Sequence, residues 1–217
     1  MKKTGKNKAT SLKWLIVLVV VLVAGIGIVL AVNAGETKTS EKNADGLLAG
    51  KHYVEMTIAD YGTITAELDA DVAPITVTNF VDLVKSGFYD GLTFHRIISG
   101  FMIQGGDPNG NGTGGSPNKI KGEFSSNGVK NGMLHERGVL SMARSSAPDS
   151  ASSQFFIMHE KAPHLDGQYA AFGKVLSGME VVDTICATVP VTDYNGTVSK
   201  ANQPVITSIK VIEKPAN

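Results

Sequence analysis

Apolar and polar positions follow different patterns in the two parts of the chain. From residue 14 to residue 32 the sequence WLIVLVVVLVAGIGIVLAV has no charged side chain, whereas from residue 51 onward apolar residues come in short runs. The runs HYVEMTI and TITAEL alternate and flank the turn residues Asp60, Tyr61 and Gly62. Alternation with a period of two on both sides of a turn predicts an antiparallel hairpin.

Two later segments have patterns that predict helices. In APITVTNFVDLVKSGF the apolar residues recur at helical spacing, with Pro74 near the start and Gly87 just past the end. GMEVVDTICAT is the second helical segment. Between and around them lie short apolar stretches separated by glycine-rich turns: LTFHRII, FMIQG, GVLSMA, SQFFIM, YAAFGKV and VITSIKVIE. Many short strands with two helices predict a mainly β fold, an antiparallel barrel or sandwich.

The uncharged run 14–32 is long enough to cross a membrane. At about 1.5 Å per residue it approaches the roughly 30 Å hydrocarbon thickness of a bilayer. Five lysines precede it, and the first acidic residue is Glu36. Because basic residues stay on the cytoplasmic side, residues 1–13 are predicted to be a cytoplasmic basic segment and residues 14–32 a transmembrane helix or signal segment.

Residues 33–50 are polar and small, and predict a flexible linker to a domain at 51–217. Two locations stay open. An uncleaved segment predicts a single-pass protein of the cell membrane with its C-terminal domain outside the cytoplasm. Cleavage after Ala34, at the end of Val32-Asn33-Ala34, predicts a secreted protein.

Composition excludes several classes of function. From Gly35 onward the chain carries 15 basic and 20 acidic residues, a net charge of −5, which argues against a nucleic-acid partner. A single cysteine, Cys186, forms no intramolecular disulfide. The five histidines are scattered, and HEKAPH is one residue longer than a zinc motif and contains a proline, so no metal is expected. GGDPNGNGTGG lacks the ending of a phosphate-binding loop, and SSAPDSASSQ lacks a nucleophile elbow.

The run FHRIISGFMIQGGD, residues 94–107, places an arginine inside an apolar strand pattern. Together with GVLSMAR, SASSQFFIM, LDGQYAAFGKV and GMEVVDTI, in this order, it resembles the cyclophilin family of peptidyl-prolyl isomerases. The resemblance covers nearly all of residues 53–213. It implies a closed eight-stranded antiparallel barrel capped by two α-helices, with no cofactor and no metal.

The chemistry of that family gives the arginine a role. Rotation about an X-Pro bond is opposed by amide resonance, with a barrier of roughly 18–20 kcal/mol. A donor that interacts better with the twisted imide than with the planar one lowers this barrier. Arg96, whose guanidinium stays charged, is the predicted hydrogen-bond donor to the prolyl imide.

Strand alternation and the resemblance together imply a site. A period of two places Phe94 and Arg96 on one face, Met102 with Gln104, and Gln154 with Phe156, while Ile103 and Phe155 point into the barrel. By resemblance the catalytic set is Arg96, Phe101 and Gln104. The substrate-binding set is His95, Met102, Ala143, Arg144, Ser145, Gln154, Phe156, His164, Leu165 and Tyr169.

Two positions depart from the family pattern. His164 stands where many relatives carry tryptophan, and Tyr169 where they carry histidine. Tyr169 still offers a ring and a hydroxyl donor, but loss of the indole predicts weak binding of the inhibitor cyclosporin. Residues 108–132 are also less typical of the family, so the role of this region is left open.

Two classes of function follow from the resemblance. The first is an isomerase that accelerates slow prolyl steps in secreted or envelope proteins as they fold. The second is a non-catalytic chaperone module that binds proline-containing polypeptides in the same pocket. Turnover that depends on Arg96 distinguishes the two.

Overall fold

The computed structural model describes residues 42–216, which form one antiparallel sheet and two helices. The strands are β1 (Lys51–Ile58), β2 (Gly62–Asp69), β3 (Phe94–Ile98), β4 (Met102–Gly105), β5 (Val139–Met142), β6 (Phe155–Met158), β7 (Ala171–Ser177) and β8 (Ile206–Ile212). The helices are α1 (Pro74–Lys85) and α2 (Met179–Thr188), and 3₁₀ turns lie at Ser125–Asn127, Pro163–Leu165 and Lys200–Asn202. The predicted hairpin, strands and helices are all present.

The sheet curves into a half-barrel and is not closed. Its strand order is β3-β4-β6-β5-β7-β2-β1-β8, which leaves β3 and β8 as the two edges. An isolated bridge between Thr93 and Val205 links these edges, but no ladder joins β3 to β8. The closed barrel implied by the resemblance is therefore wrong. The edge of β3 is occupied instead by loop residues 196–198, because Ile97 donates to the Gly196 carbonyl and Val198 donates to the His95 carbonyl.

The core lies between the inner face of the sheet and the two helices. Phe80 of α1 is its centre, with ring centroids 5.1 Å from Tyr89, 5.3 Å from Phe155 and 5.2 Å from Phe172. The N-terminus of α1 is capped by the buried carboxylate of Glu123, which accepts the backbone N–H groups of residues 75 and 76. The capping ties the loop before β5 to the helix.

A β-bulge in β3 reverses one prediction. The pairing of β3 with β4 shifts between Phe94 and Arg96, so His95 is an extra residue on that strand. Phe94 consequently lies in the core, whereas Arg96 lies half-buried on the outer side. The expectation that both share a face is wrong, because strict alternation holds only in a strand without a bulge.

The predicted transmembrane or signal segment, residues 14–32, lies outside the described residues. Within residues 42–216 no helix combines the length and the apolar character needed to cross a membrane. Inside the range predicted to be a linker, Leu48 is buried in the core and its N–H donates to the Thr78 hydroxyl at 2.8 Å. Packing of the domain thus begins a few residues before Lys51.

Candidate functional site

An open pocket, hereafter the prolyl pocket, lies on the outer face of the half-barrel. It has a volume of about 360 Å³. Strands β3, β4 and β6 form one side, and the segments after β5 and before β7 form the other. Its lining consists of ten predicted site residues, namely Arg96, Phe101, Met102, Gln104, Ala143, Arg144, Phe156, His164, Leu165 and Tyr169.

Arg96 is fixed at the edge of this pocket by two hydrogen bonds. Its Nε donates to the Asn195 carbonyl at 2.8 Å, and its Nη1 donates to Gln104 Oε1 at 3.3 Å. Its Nη2 has no protein partner within residues 42–216 and remains available as a donor. Burial lowers the pKa of Arg96, and the opposing influence of Tyr169 and Asp193 is smaller. An arginine remains charged at neutral pH despite such a shift.

Two glutamines extend this arrangement along the sheet. Gln104 Nε2 donates to Gln154 Oε1 at 2.9 Å. Gln154 Nε2 in turn donates to the carbonyls of Gly112 and Gly114, at 3.1 and 2.7 Å. This chain fixes the amide orientation of Gln104, whose Oε1 accepts from Arg96.

The floor of the prolyl pocket is apolar and rests on a buried histidine. Met102, Phe156 and Leu165 belong to a hydrophobic cluster separate from the main core. His135 stacks behind the Phe156 ring, with centroids 6.0 Å apart and planes at 20°. Its Nδ1 lies 3.0 Å from Asp166 Oδ1 and its Nε2 lies 3.0 Å from Ser141 Oγ.

The environment of His135 keeps the ring neutral. Burial lowers its pKa, and the hydrogen bond to Asp166 opposes this shift without cancelling it. Ser141 and His135 are both buried, so the Ser141–His135–Asp166 chain supports the pocket from behind. His135 carried no motif in the sequence, and only the fold brings it beneath Phe156.

Arg144 clamps Tyr169 at the rim of the prolyl pocket. The guanidinium carbon lies 4.7 Å from the Tyr169 ring centroid and 5.0 Å from that of Phe124. Its Nε and Nη2 donate to the Gln168 carbonyl at 3.0 and 2.9 Å, and its Nη1 donates to the Ser145 carbonyl at 2.9 Å. Tyr169 is thereby held edge-on to Phe156, with centroids 5.9 Å apart. The arginine that the resemblance assigned to substrate binding has most of its donors occupied within the protein.

The other three predicted residues lie in two cavities that flank the prolyl pocket. Ser145 and Gln154 line a cavity of about 320 Å³, hereafter the serine-side cavity. His95 lines a cavity of about 420 Å³, hereafter the histidine-side cavity. Both cavities border the glycine-rich loop 105–118, which the sequence left without a role.

A buried carboxylate organises that loop. Asp107 is 1% exposed and accepts backbone N–H groups from Asn109, Asn111 and Gly112 at 2.8, 3.1 and 2.6 Å. Burial acts to raise the pKa of Asp107, but these hydrogen bonds together outweigh it and lower the pKa. The loop therefore has a defined conformation despite its glycine content.

His95 is buried beside this loop without hydrogen bonds. Its two ring nitrogens are the only buried side-chain polar atoms that lack a partner in the described part of the chain. Burial lowers the pKa of His95 more than the nearby Asp107 raises it, so the ring is neutral at neutral pH. His95 lines the histidine-side cavity and does not line the prolyl pocket.

Comparison with known proteins gives a consistent family. Residues 53–211 match the model of the cyclophilin-type peptidyl-prolyl cis-trans isomerases. Peptidyl-prolyl cis-trans isomerase B of Bacillus subtilis is 51% identical over 123 residues, which cover 57% of this chain and 82% of the relative. An isomerase of Helicobacter pylori is 48% identical over 126 residues, covering 57% of this chain and 75% of the relative.

Solved structures agree with these sequence matches. A cyclophilin-type peptidyl-prolyl cis-trans isomerase of Cryptosporidium parvum superposes with a TM-score of 0.67 at 32% identity, covering 76% of this chain and 99% of the other. The chain therefore belongs to the cyclophilin-type peptidyl-prolyl cis-trans isomerases. It is an isomerase whose substrates are proline-containing peptides.

Proposed function

We propose that Arg96 accelerates X-Pro rotation by donating a hydrogen bond to the prolyl imide nitrogen as the bond twists. As conjugation is lost, this nitrogen becomes more basic and a better acceptor. The observation that carries the proposal is the available Nη2 of Arg96 at the edge of an apolar pocket. Nε and Nη1 fix the guanidinium plane, so little ordering is required when the transition state forms.

The other site residues supply binding and orientation in this proposal. Phe101, Met102, Phe156 and Leu165 surround the proline ring, and Gln104 holds the guanidinium plane through Nη1. The backbone at residues 143–145 pairs with an extended peptide, and His164 and Tyr169 border its path. No proton transfer or covalent intermediate is needed, because the reaction changes only a torsion angle.

Replacement of Arg96 tests the catalytic role. In a protease-coupled assay with a proline-containing peptide, we expect Arg96→Ala to lower kcat/KM by about 10²–10³, the loss typical of removing one preorganised transition-state donor. Arg96→Lys keeps the charge but loses the planar fork, so partial activity is expected.

The alternative to catalysis by Arg96 is that this residue only helps to bind the peptide. Peptide binding measured by calorimetry serves as the control, because the apolar socket predicts that Arg96→Ala still binds. If Arg96→Ala loses peptide binding in proportion to its activity, or keeps full activity, the proposed catalytic role of Arg96 is wrong.

We further propose that the protein acts on secreted or envelope proteins from outside the plasma membrane. The support is the uncharged segment 14–32 that follows five lysines. The mature N-terminus, determined by mass spectrometry of membrane and culture fractions, tests this placement. An intact N-terminal segment in the membrane fraction is expected, and a mature chain that starts at Gly35 would contradict the retained anchor.

A further inference from the structure

The three cavities of the outer face form one continuous groove. Gln104 lines the prolyl pocket, the serine-side cavity and the histidine-side cavity. Arg96 is shared by the prolyl pocket and the histidine-side cavity, and Arg144 is shared by the prolyl pocket and the serine-side cavity. The serine-side and histidine-side cavities also share Gly112, so all three cavities adjoin one another around Gln104. A peptide with its proline in the prolyl pocket thus has one further cavity on the Arg96 side and another on the Arg144 side.

The charges along this groove are all of one sign. Arg96, Arg144, Lys119 and Lys200 line it, and no aspartate or glutamate lines any of the three cavities in the described region. The domain as a whole has the opposite balance, since residues 42–216 contain 14 basic and 18 acidic side chains, a net charge of −4. The cationic groove is thus not a consequence of a basic surface.

None of these four cations takes part in an ion pair among residues 42–216. Asp193 acts on Arg96 through its charge without forming an ion pair with it, and the buried Asp107 accepts backbone N–H groups of its own loop. The donors of Arg144 go to carbonyl oxygens, so its positive charge is also uncompensated.

We propose that the groove selects prolines flanked by acidic side chains. This inference rests on the proposed isomerase function and adds to it the class of substrate. Lys119 acts on the side of the serine-side cavity and Lys200 on the side of the histidine-side cavity, so each reads one flank of the proline. The two ammonium groups lie in the exposed parts of the groove, where a single charge pair is weak and screened by salt.

The test is a set of peptides with one proline and five different flanks. They carry Gln on both sides, Glu before proline only, Glu after proline only, Glu on both sides, or Lys on both sides. We expect kcat/KM to rise about threefold for each Glu, as typical energies of exposed charge pairs predict. The gain is expected in KM and to diminish in 0.5 M salt. The Lys-flanked peptide is expected to be the poorest substrate.

Three lysine variants assign the effect to the groove. The ratio of kcat/KM for a Glu-flanked peptide to that for the Gln-flanked peptide measures the preference on each flank. Lys119→Gln is expected to reduce this ratio to about one on one flank, and Lys200→Gln on the opposite flank. Lys210→Gln, an exposed change on β8 outside all three cavities, is expected to keep both ratios. Each ratio compares two peptides on the same variant. A general loss of activity therefore lowers both values and leaves the ratio unchanged.

The outcomes separate this inference from the function on which it rests. Equal turnover of Glu-, Gln- and Lys-flanked peptides would show an isomerase without charge selection and overturn the inference alone. A preference that survives both lysine replacements would also overturn it. No acceleration of any peptide would overturn the proposed isomerase function, and the substrate class with it.

Discussion

Phe155 and Phe156 are neighbours on β6, yet they lie in different environments. Phe155 is fully buried among Phe80, Tyr89 and Phe94, with ring centroids at 5.3, 5.5 and 6.0 Å. Phe156 points the other way, onto the floor of the prolyl pocket. The same strand thus supports a filled core on one face and an open site on the other.

The difference arises from what covers each face. Helix α1 covers the inner face with an apolar surface, so side chains from both elements interlock. The outer face is covered by loops whose polar groups are satisfied among themselves, as in the Asp107 loop and the Arg144 clamp. Such loops hold their own shape without filling the space above the sheet, and a pocket remains.

Truncation of the two phenylalanines gives the largest contrast. We expect Phe155→Ala to lower the free energy of unfolding by about 3–5 kcal/mol, because it leaves a cavity in a close-packed core. Phe156→Ala is expected to cost less stability but to raise KM for peptides, since the ring already borders open space. Urea unfolding and the isomerase assay measure the two effects. Equal losses of stability would contradict the distinction between the faces.

The sequence predicted more of the inner face of the sheet than of the outer face. Periodicity and punctuation located α1 between Pro74 and Gly87, and alternation placed Ile103 and Phe155 in the core. Both depend on local spacing, which the sequence contains. The resemblance supplied the ten residues that line the prolyl pocket.

What the sequence did not reveal depends on long-range contacts. The bulge at His95 places Phe94 and Arg96 on different faces of the sheet, and the local spacing of apolar residues does not predict this bulge. His135 meets Ser141 and Asp166 only after β5 and the segment before β7 have packed together. A loop rich in glycine has no periodic pattern of apolar residues. The hydrogen bonds by which Asp107 fixes this loop could therefore be identified only in the structure.

Replacement of His164 by tryptophan tests how this position of the outer face affects inhibitor binding. His164 is exposed at the prolyl pocket, with its ring 5.7 Å from that of Phe101. We expect the natural chain to bind cyclosporin with a dissociation constant above roughly 100 nM, and His164→Trp to tighten it about tenfold. Tyr194→Trp, a fully exposed change outside the groove, is the control. An unmodified chain that binds below 100 nM would refute the effect of the missing indole.

The clamp on Tyr169 is tested by replacing its cation. Arg144→Met keeps the apolar stem but loses the donors to the Gln168 carbonyl, and Arg144→Lys keeps the charge without the planar fork. We expect both variants to raise KM for a neutral peptide about three- to tenfold, because Tyr169 is no longer fixed at the rim. Broadened NMR signals of the Tyr169 ring would accompany the change.

An arginine that lines none of the three cavities is the control for this prediction. Arg137 binds Asp183 through two hydrogen bonds of 2.7 Å. Arg137→Lys is expected to leave KM unchanged. If Arg144→Lys behaves in the same way, Tyr169 is held by its own packing and the clamp is not needed.

The smallest expected effect concerns pH, and it involves two histidines of the outer face. Burial lowers the pKa of His95 and of His135 below the ordinary value of 6.5. The unfolded chain therefore takes up protons first as pH falls below about 6.5, and the folded state loses stability from that point downward. Asp107, whose pKa is lowered from 3.8, adds its own loss only in more acidic solution.

Urea midpoints between pH 7.5 and pH 5.0 measure this histidine contribution. The natural chain is expected to keep its stability from pH 7.5 to about 6.5 and to lose stability below that point. His95→Gln is expected to flatten the decrease without breaking a protein hydrogen bond, because the ring nitrogens of His95 have no partner within residues 42–216. His135→Gln also removes a titrating ring, but it disturbs the contacts to Asp166 and Ser141 and should lower stability at every pH. A profile that is unchanged in both variants would mean that neither histidine is kept neutral by burial.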